Sequence, residues 1–402
     1  MKQQIINILN KKSITSFLFF IFVFVLMVDP ANTILHVKDI FFIILLIFVA
    51  LAYRGIDKTM FLSLLFIYVL ISLSIVRGLI CNYSFNLEFM VYVYKTFVPL
   101  LLLLWMKKTT FFTWRSMVIP GIIISLMTFF VVVVLLFYPE FELFVYSFFD
   151  KNGLMVMGRR PILGVTITTA YYRSLPLLFF PTAILLYRAL NEPRMKFWNM
   201  FGAFIFSLAL FLGGTRACSL SVVVLVAIIV AMKLYACRNG RFMLVILTIV
   251  FIPCFLFVVY KLMSETTESS NVAKYAHIMS YGDLINNDPL LLFFGAGAGS
   301  EYYSKGFNSY TFQTEWSYFE FIRMFGIPGA LVLICFYSYP LLIVYRRRGD
   351  LEYPIPYIIS YVLYLIIAGT NPLLIGSDGI LALIYSYNYA YSGRSSSKNE
   401  KS

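Results

Sequence analysis

Apolar runs long enough to cross a bilayer, about 17–25 residues each, alternate with short polar breaks along nearly the whole chain. The pattern predicts twelve spans, at 14–34, 37–53, 60–80, 87–106, 117–138, 165–187, 197–213, 217–236, 242–263, 313–345, 354–369 and 373–392. Helices are the expected element, because backbone groups in hydrocarbon must pair within their own segment. A β-barrel would show short alternating strands instead. The 313–345 run is longer than the rest, so its first turns are expected to stand outside the hydrocarbon or to tilt.

Composition agrees with this pattern. The 402 residues are 61% hydrophobic and 13% charged, against about 25% charged in an ordinary soluble domain. The fold class expected is an all-α polytopic membrane protein forming one transmembrane domain over 1–402. "MKQQIINILNKK" leads into the first run with no small-residue cleavage site, so that run is read as a retained anchor. The five cysteines are scattered and there are only two histidines, so neither a metal site nor a cofactor is expected.

Charge then sets the orientation. The N-terminal segment, the even-numbered loops and the tail hold 20 of the 32 lysines and arginines, including Lys11, Lys12, Arg188, Arg194, Arg346, Arg347 and Arg348. The positive-inside rule puts these, and both termini, in the cytoplasm. The net charge of +13 is therefore a topology signal and implies no nucleic-acid partner. Two outer segments are enlarged, 139–164 and 264–312, and long loops are common seats of function. Residues 272–285 of the second fit an amphipathic helix: Val272, Tyr275, Ala276, Met279 and Gly282 share one face, and Lys274, His277 and Tyr281 another. The inner loops are too short for a nucleotide-binding domain, and no internal repeat is visible, which weakens an inverted-repeat transporter reading.

Twelve basic residues escape the positive-inside rule, and Arg173, Arg216 and Arg323 among them fall near outer ends of spans. A guanidinium at that depth either snorkels to the headgroups or meets an anion. Several at one level, with "GRRP" at 158–161, favour an anion site, because the planar fork donates paired hydrogen bonds to phosphate. Gly213 and Gly214 allow the backbone to break before Arg216 and leave free N–H groups at the start of span eight. Lys95, in "FMVYVYKTFVPLL", serves either a buried pair or a polar pathway. Glu320 and Arg323 are i, i+3 neighbours suited to an ion pair. Glu315 has no local partner and stands at an apolar boundary, where desolvation favours general-base work. Trp316 and Tyr318 beside it suit either sugar stacking or the membrane interface. "GAGAG" at 295–299 matches neither a Rossmann nor a P-loop signature and reads as tight turns.

"GGTRA" at 213–217, "NDPLLLFFGAGAGS" at 287–300 and "TEWSYFEFIRMFGIPG" at 314–329, in this twelve-span layout, resemble the O-antigen polymerase and ligase superfamily. The resemblance implies a GT-C-type, metal-independent glycosyltransferase of the bacterial inner membrane, with its active site on the periplasmic face. Its donor would be a glycan on undecaprenyl pyrophosphate, moved to a sugar hydroxyl of the next lipid-linked repeat unit to build O-antigen, capsule or a related polymer. On this pattern Arg216, then Arg160 and Arg173, with Arg323 and Lys274 as further cations, would bind the pyrophosphate. Glu315 is the first candidate for the base, with His277 and Asp283 in reserve. The ligases carry a histidine eleven residues before the first glycine of "GIPG", where this chain has Glu315, which favours a polymerase over a ligase. A chain-length regulator and a flippase of the same pathway are the partners implied, beside membrane lipid. The rival of a different class is a lipid-linked oligosaccharide flippase.

Overall fold

The computed structural model describes residues 2–392, apart from 54, 81–84, 107–111, 163–164, 214, 238–239 and 265–268. Helices dominate. In chain order they are α1 (Lys2–Val28), α2 (Lys38–Ala52), α3 (Lys58–Ile80), α4 (Leu87–Phe97), α5 (Val118–Phe137) and α6 (Glu142–Lys151). A hairpin of β1 (Met155–Ile162) and β2 (Val165–Tyr172) follows, then α7 (Phe179–Asn191), α8 (Lys196–Leu212), α9 (Arg216–Ala236) and α10 (Gly240–Ser264). The second long loop holds α11 (Ser269–Asn287), the single turn α12 (Leu291–Phe294) and a hairpin of β3 (Tyr302–Ser304) and β4 (Ser309–Thr311). The chain closes with α13 (Ser317–Arg346), α14 (Pro354–Gly369) and α15 (Ser377–Tyr391). Among the described residues, six helical segments are long and apolar enough to cross a membrane, and four shorter apolar helices accompany them. The protein is a helical one with membrane-spanning character.

The sixth apolar run is not helical throughout. Residues 165–172, "VTITTAYY", pair antiparallel with β1, Met155 opposite Tyr172 and Ile162 opposite Val165. β-branched and aromatic residues dominate this stretch and suit a pleated strand better than a helix. Helix resumes only at Leu175, with Pro176 in its first turn. The fourth run also breaks: α4 passes into a 3-10 segment, Val98–Trp105, at Pro99, whose ring cannot continue an α-helix. In the long tenth run the break falls at Gly326, which takes a φ of 69° inside α13. A Cβ there would sit 2.3 Å from the Phe293 carbonyl oxygen, so only glycine lets α12 lie against this kink.

Two helices mark the extremes of packing. In α15 every residue from Asp378 to Tyr391 is buried, which makes it the centre of the bundle. Its aromatic rings meet those of α14 and α7, as where Tyr385 lies 4.7 Å from Phe180 and Tyr357 stacks 4.2 Å from Tyr389. Several tyrosine hydroxyls there donate to backbone carbonyls, Tyr361 to Tyr337 at 2.7 Å and Tyr387 to Phe336 at 2.9 Å. At the other extreme, the apolar window of α10 buries none of its residues. An apolar helix left open on that scale needs lipid as its solvent.

Candidate functional site

A helix break falls at "GGTRA". α8 ends at Leu212, and α9 begins at Arg216 with Thr215 as its N-cap, the Thr215 hydroxyl accepting from the Cys218 N–H at 3.2 Å. Gly213 is required by contact, because a Cβ there would fall 2.2 Å from Cδ2 of Leu175; Gly214 lies outside the described residues. Arg216 is half-buried, and its Nη1 donates to Oδ1 of Asn271 at 3.2 Å. Asn271 belongs to α11, so the long loop folds back onto the start of α9.

α11 covers the stretch expected to be helical. Val272, Tyr275 and Met279 are exposed, while His277 and Tyr281 are buried against the protein. Lys274, one turn from Asn271, pairs with Glu315 at 3.3 Å and lies 5.8 Å from the Trp316 ring centre. It also reaches the Thr370 carbonyl at 3.5 Å, which ties α11 to the end of α14. Asn271, which Arg216 bonds, and Lys274, which pairs with Glu315, stand three residues apart on α11. Glu315 is 41% exposed and answered by a lysine. Its partner is distant in sequence, as the lack of a local one implied.

His277 is buried, and its Nδ1 shares a 2.7 Å hydrogen bond with Oγ of Ser304, while among the described residues Nε2 has no hydrogen-bond partner. Desolvation lowers the imidazole from its ordinary 6.5, so the ring is neutral at physiological pH. Gly306 permits this closure: a Cβ there would come 2.4 Å from the ring. Asp283, the other reserve base, is paired with Lys305 at 2.5 Å on an exposed flank of α11.

Arg323 is closed to a ligand. It is 1% exposed, its Nε donates to Glu320 at 2.8 Å, its Nη1 to Ser300, and its Nη2 to the Phe312 carbonyl at 2.7 Å. The second oxygen of Glu320 accepts from Tyr281, Tyr302 and the Thr314 N–H. The expected anion contact of Arg323 is replaced by this network, because the Glu320 pair and the folded loop use every guanidinium nitrogen. GAGAG completes the same junction. Gly295, Gly297 and Gly299 all have positive φ, Ala296 N–H donates to the Arg323 carbonyl, and Ala298 N–H to Ser74 of α3. A Cβ on Gly297 would lie 2.4 Å from the Gly78 nitrogen, so the turn is a clamp between α3 and α13.

The first long loop supplies Arg173, exposed directly after β2, its N–H bonded to the Leu154 carbonyl. Arg160 sits in β1 opposite Ile167, and its side chain lies outside the described residues. Lys95 pairs with Asp39 of α2 at 3.5 Å, both well exposed. Sequence reasoning missed Asn271, which accepts from Arg216, and the Thr370 carbonyl, which accepts from Lys274. Among the described residues no cluster of metal-ligating side chains occurs. The chain matches no family model and no curated protein.

Proposed function

We propose that the chain is a polysaccharide polymerase of the bacterial inner membrane, with twelve spans and a GT-C-type organisation. It elongates a glycan by moving it from undecaprenyl pyrophosphate to the hydroxyl of the next lipid-linked repeat unit. One observation carries this reading: α11 bears both Asn271, which Arg216 bonds, and Lys274, three residues on, which pairs with Glu315. Arg216 at the start of α9, Lys274 on α11 and a partly exposed carboxylate suit a departing pyrophosphate and an attacking hydroxyl. Arginine can supply the charge that a divalent cation supplies to a leaving pyrophosphate elsewhere. The start of α9, capped by Thr215, puts the positive end of a helix dipole at Arg216.

The test is turnover in proteoliposomes supplied with lipid-linked repeat units, read as a ladder of chain lengths. Arg216→Ala is expected to lose the ladder by roughly 10²–10³-fold, the scale of one lost transition-state donor, while still inserting and running as a single species. Full elongation by Arg216→Ala would remove the pyrophosphate role. Transbilayer movement of the lipid without elongation by the parent protein would replace the enzyme with a flippase.

A further inference from the structure

One side of α6 is apolar, and no described residue covers it. Phe141, Phe144 and Phe148 stand at i, i+3 and i+7 and are 53%, 70% and 43% exposed. The flank beside them is closed: Val145 and Phe149 are buried. Tyr146 donates its hydroxyl to the Met157 carbonyl at 2.7 Å, which fastens α6 to β1. Ser147 and Asp150, with Leu143 as the one apolar exception, make up the other exposed side. Three open rings in a row form a contiguous apolar patch of the kind that marks a contact with lipid or protein.

Both ends of α6 point to lipid. At its start, α5 is apolar and long enough to span a bilayer, and it exposes Leu126, Phe130, Val133 and Phe137 at i, i+4, i+7 and i+11. That stripe is its lipid face. The chain leaves the helix at Tyr138, with φ and ψ of −133° and 66°, and Phe141 comes four residues after Phe137. The open rings of α6 therefore continue the lipid face of α5. At its far end, the Asn152 carbonyl accepts from the Thr33 hydroxyl at 2.6 Å. Thr33 belongs to the turn between α1 and α2, so this end too is held where helices of the bundle stop. A helix of ten residues, about 15 Å long, tied at both ends to that level lies along it instead of projecting from it.

Charge says which part of the lipid holds α6. Glu140, Glu142 and Asp150 outnumber Lys151 on and beside the helix. Basic interfacial helices draw on anionic headgroups. Here that attraction has the wrong sign, and burial of the rings among acyl chains is left as the driving force.

We propose that α6 is an interfacial helix, docked on the bilayer surface at this end of the bundle with Phe141, Phe144 and Phe148 sunk among acyl chains. Through the Tyr146–Met157 bond it holds the β1–β2 hairpin to the same surface. The docking stands apart from the polymerase reading, since neither a lipid-linked donor nor Arg216 enters it.

Photocrosslinking tests it in the full chain, reconstituted in phosphatidylethanolamine vesicles with a fluorophore on the acyl chain of a trace lipid. Phe144→p-azidophenylalanine and Phe148→p-azidophenylalanine keep an aromatic ring at the tested position. On illumination both are expected to carry roughly tenfold more lipid fluorescence on a denaturing gel than Asp150→p-azidophenylalanine, the bias that burying one such ring is worth. Adding phosphatidylglycerol leaves the label unchanged. Label at Phe144 and Phe148 no stronger than at Asp150 overturns the proposal, and so does a covalent dimer in its place, which a second copy seated on this face gives. Label that appears only with phosphatidylglycerol overturns the acyl-chain seat. If one phenylalanine variant fails to insert, the other decides.

Discussion

Glu315 and Glu320 share one short stretch, "TEWSYFE", and meet opposite fates. Glu320 is fully buried, paired with Arg323, and surrounded by hydroxyl and amide donors. Glu315 is 41% exposed and held by a single lysine from a different element. Five residues of chain separate a carboxylate that builds the fold from one still open to a ligand. The difference lies in what the loop does. GAGAG, the β3–β4 hairpin and Tyr281 of α11 enclose Glu320, whereas Glu315 meets α11 through Lys274 at 3.3 Å.

Arg323→Ala tests the closed half and carries the largest effect. It leaves Glu320 as an uncompensated buried charge, which costs about 3–5 kcal/mol. Melting followed by fluorescence-detected gel filtration is expected to show a protein that loses its fold or accumulates poorly. The double change Glu320→Gln with Arg323→Met retains more stability than Arg323→Ala, because no charge is stranded. Parent-like melting of Arg323→Ala would dissolve the contrast between the two carboxylates.

Periodicity made much of this visible beforehand. Apolar run length marked the spanning helices, and the i, i+3 spacing of Glu320 and Arg323 marked their pair. Hidden were the pairings between distant segments: Arg216 with Asn271, Lys274 with Glu315, Lys38 with Ser377. No local pattern encodes a contact closed by tertiary folding. The strand at 165–172 was hidden for a different reason. A short apolar run reads alike as strand or buried helix until its hairpin partner is known.

His277 gives a smaller effect on the same boundary. Its ring is buried by the loop that encloses Glu320, and burial lowers its proton affinity in the folded state. The unfolded chain therefore binds more protons as pH falls below the ordinary 6.5, so stability is full above that value and is lost as pH falls toward the depressed folded value. Melting temperature is expected to drop between about pH 7.5 and 5.5, and His277→Gln is expected to flatten part of that drop. An equal slope in the variant would show that the loop does not seal the ring.

Glu315→Gln has the smallest effect on stability. A pair this exposed contributes roughly 0–1 kcal/mol, and the amide keeps a hydrogen bond to Lys274. The melting temperature is expected to stay close to the parent's, in contrast with Arg323→Ala. Elongation is where the two carboxylates part. If Glu315 takes the proton of the attacking hydroxyl, chain growth falls by roughly 10²–10⁴-fold with the fold intact. A stable Glu315→Gln that elongates like the parent removes Glu315 as the base. A strongly destabilised one makes it a second structural carboxylate, and the division between the halves of "TEWSYFE" goes with it.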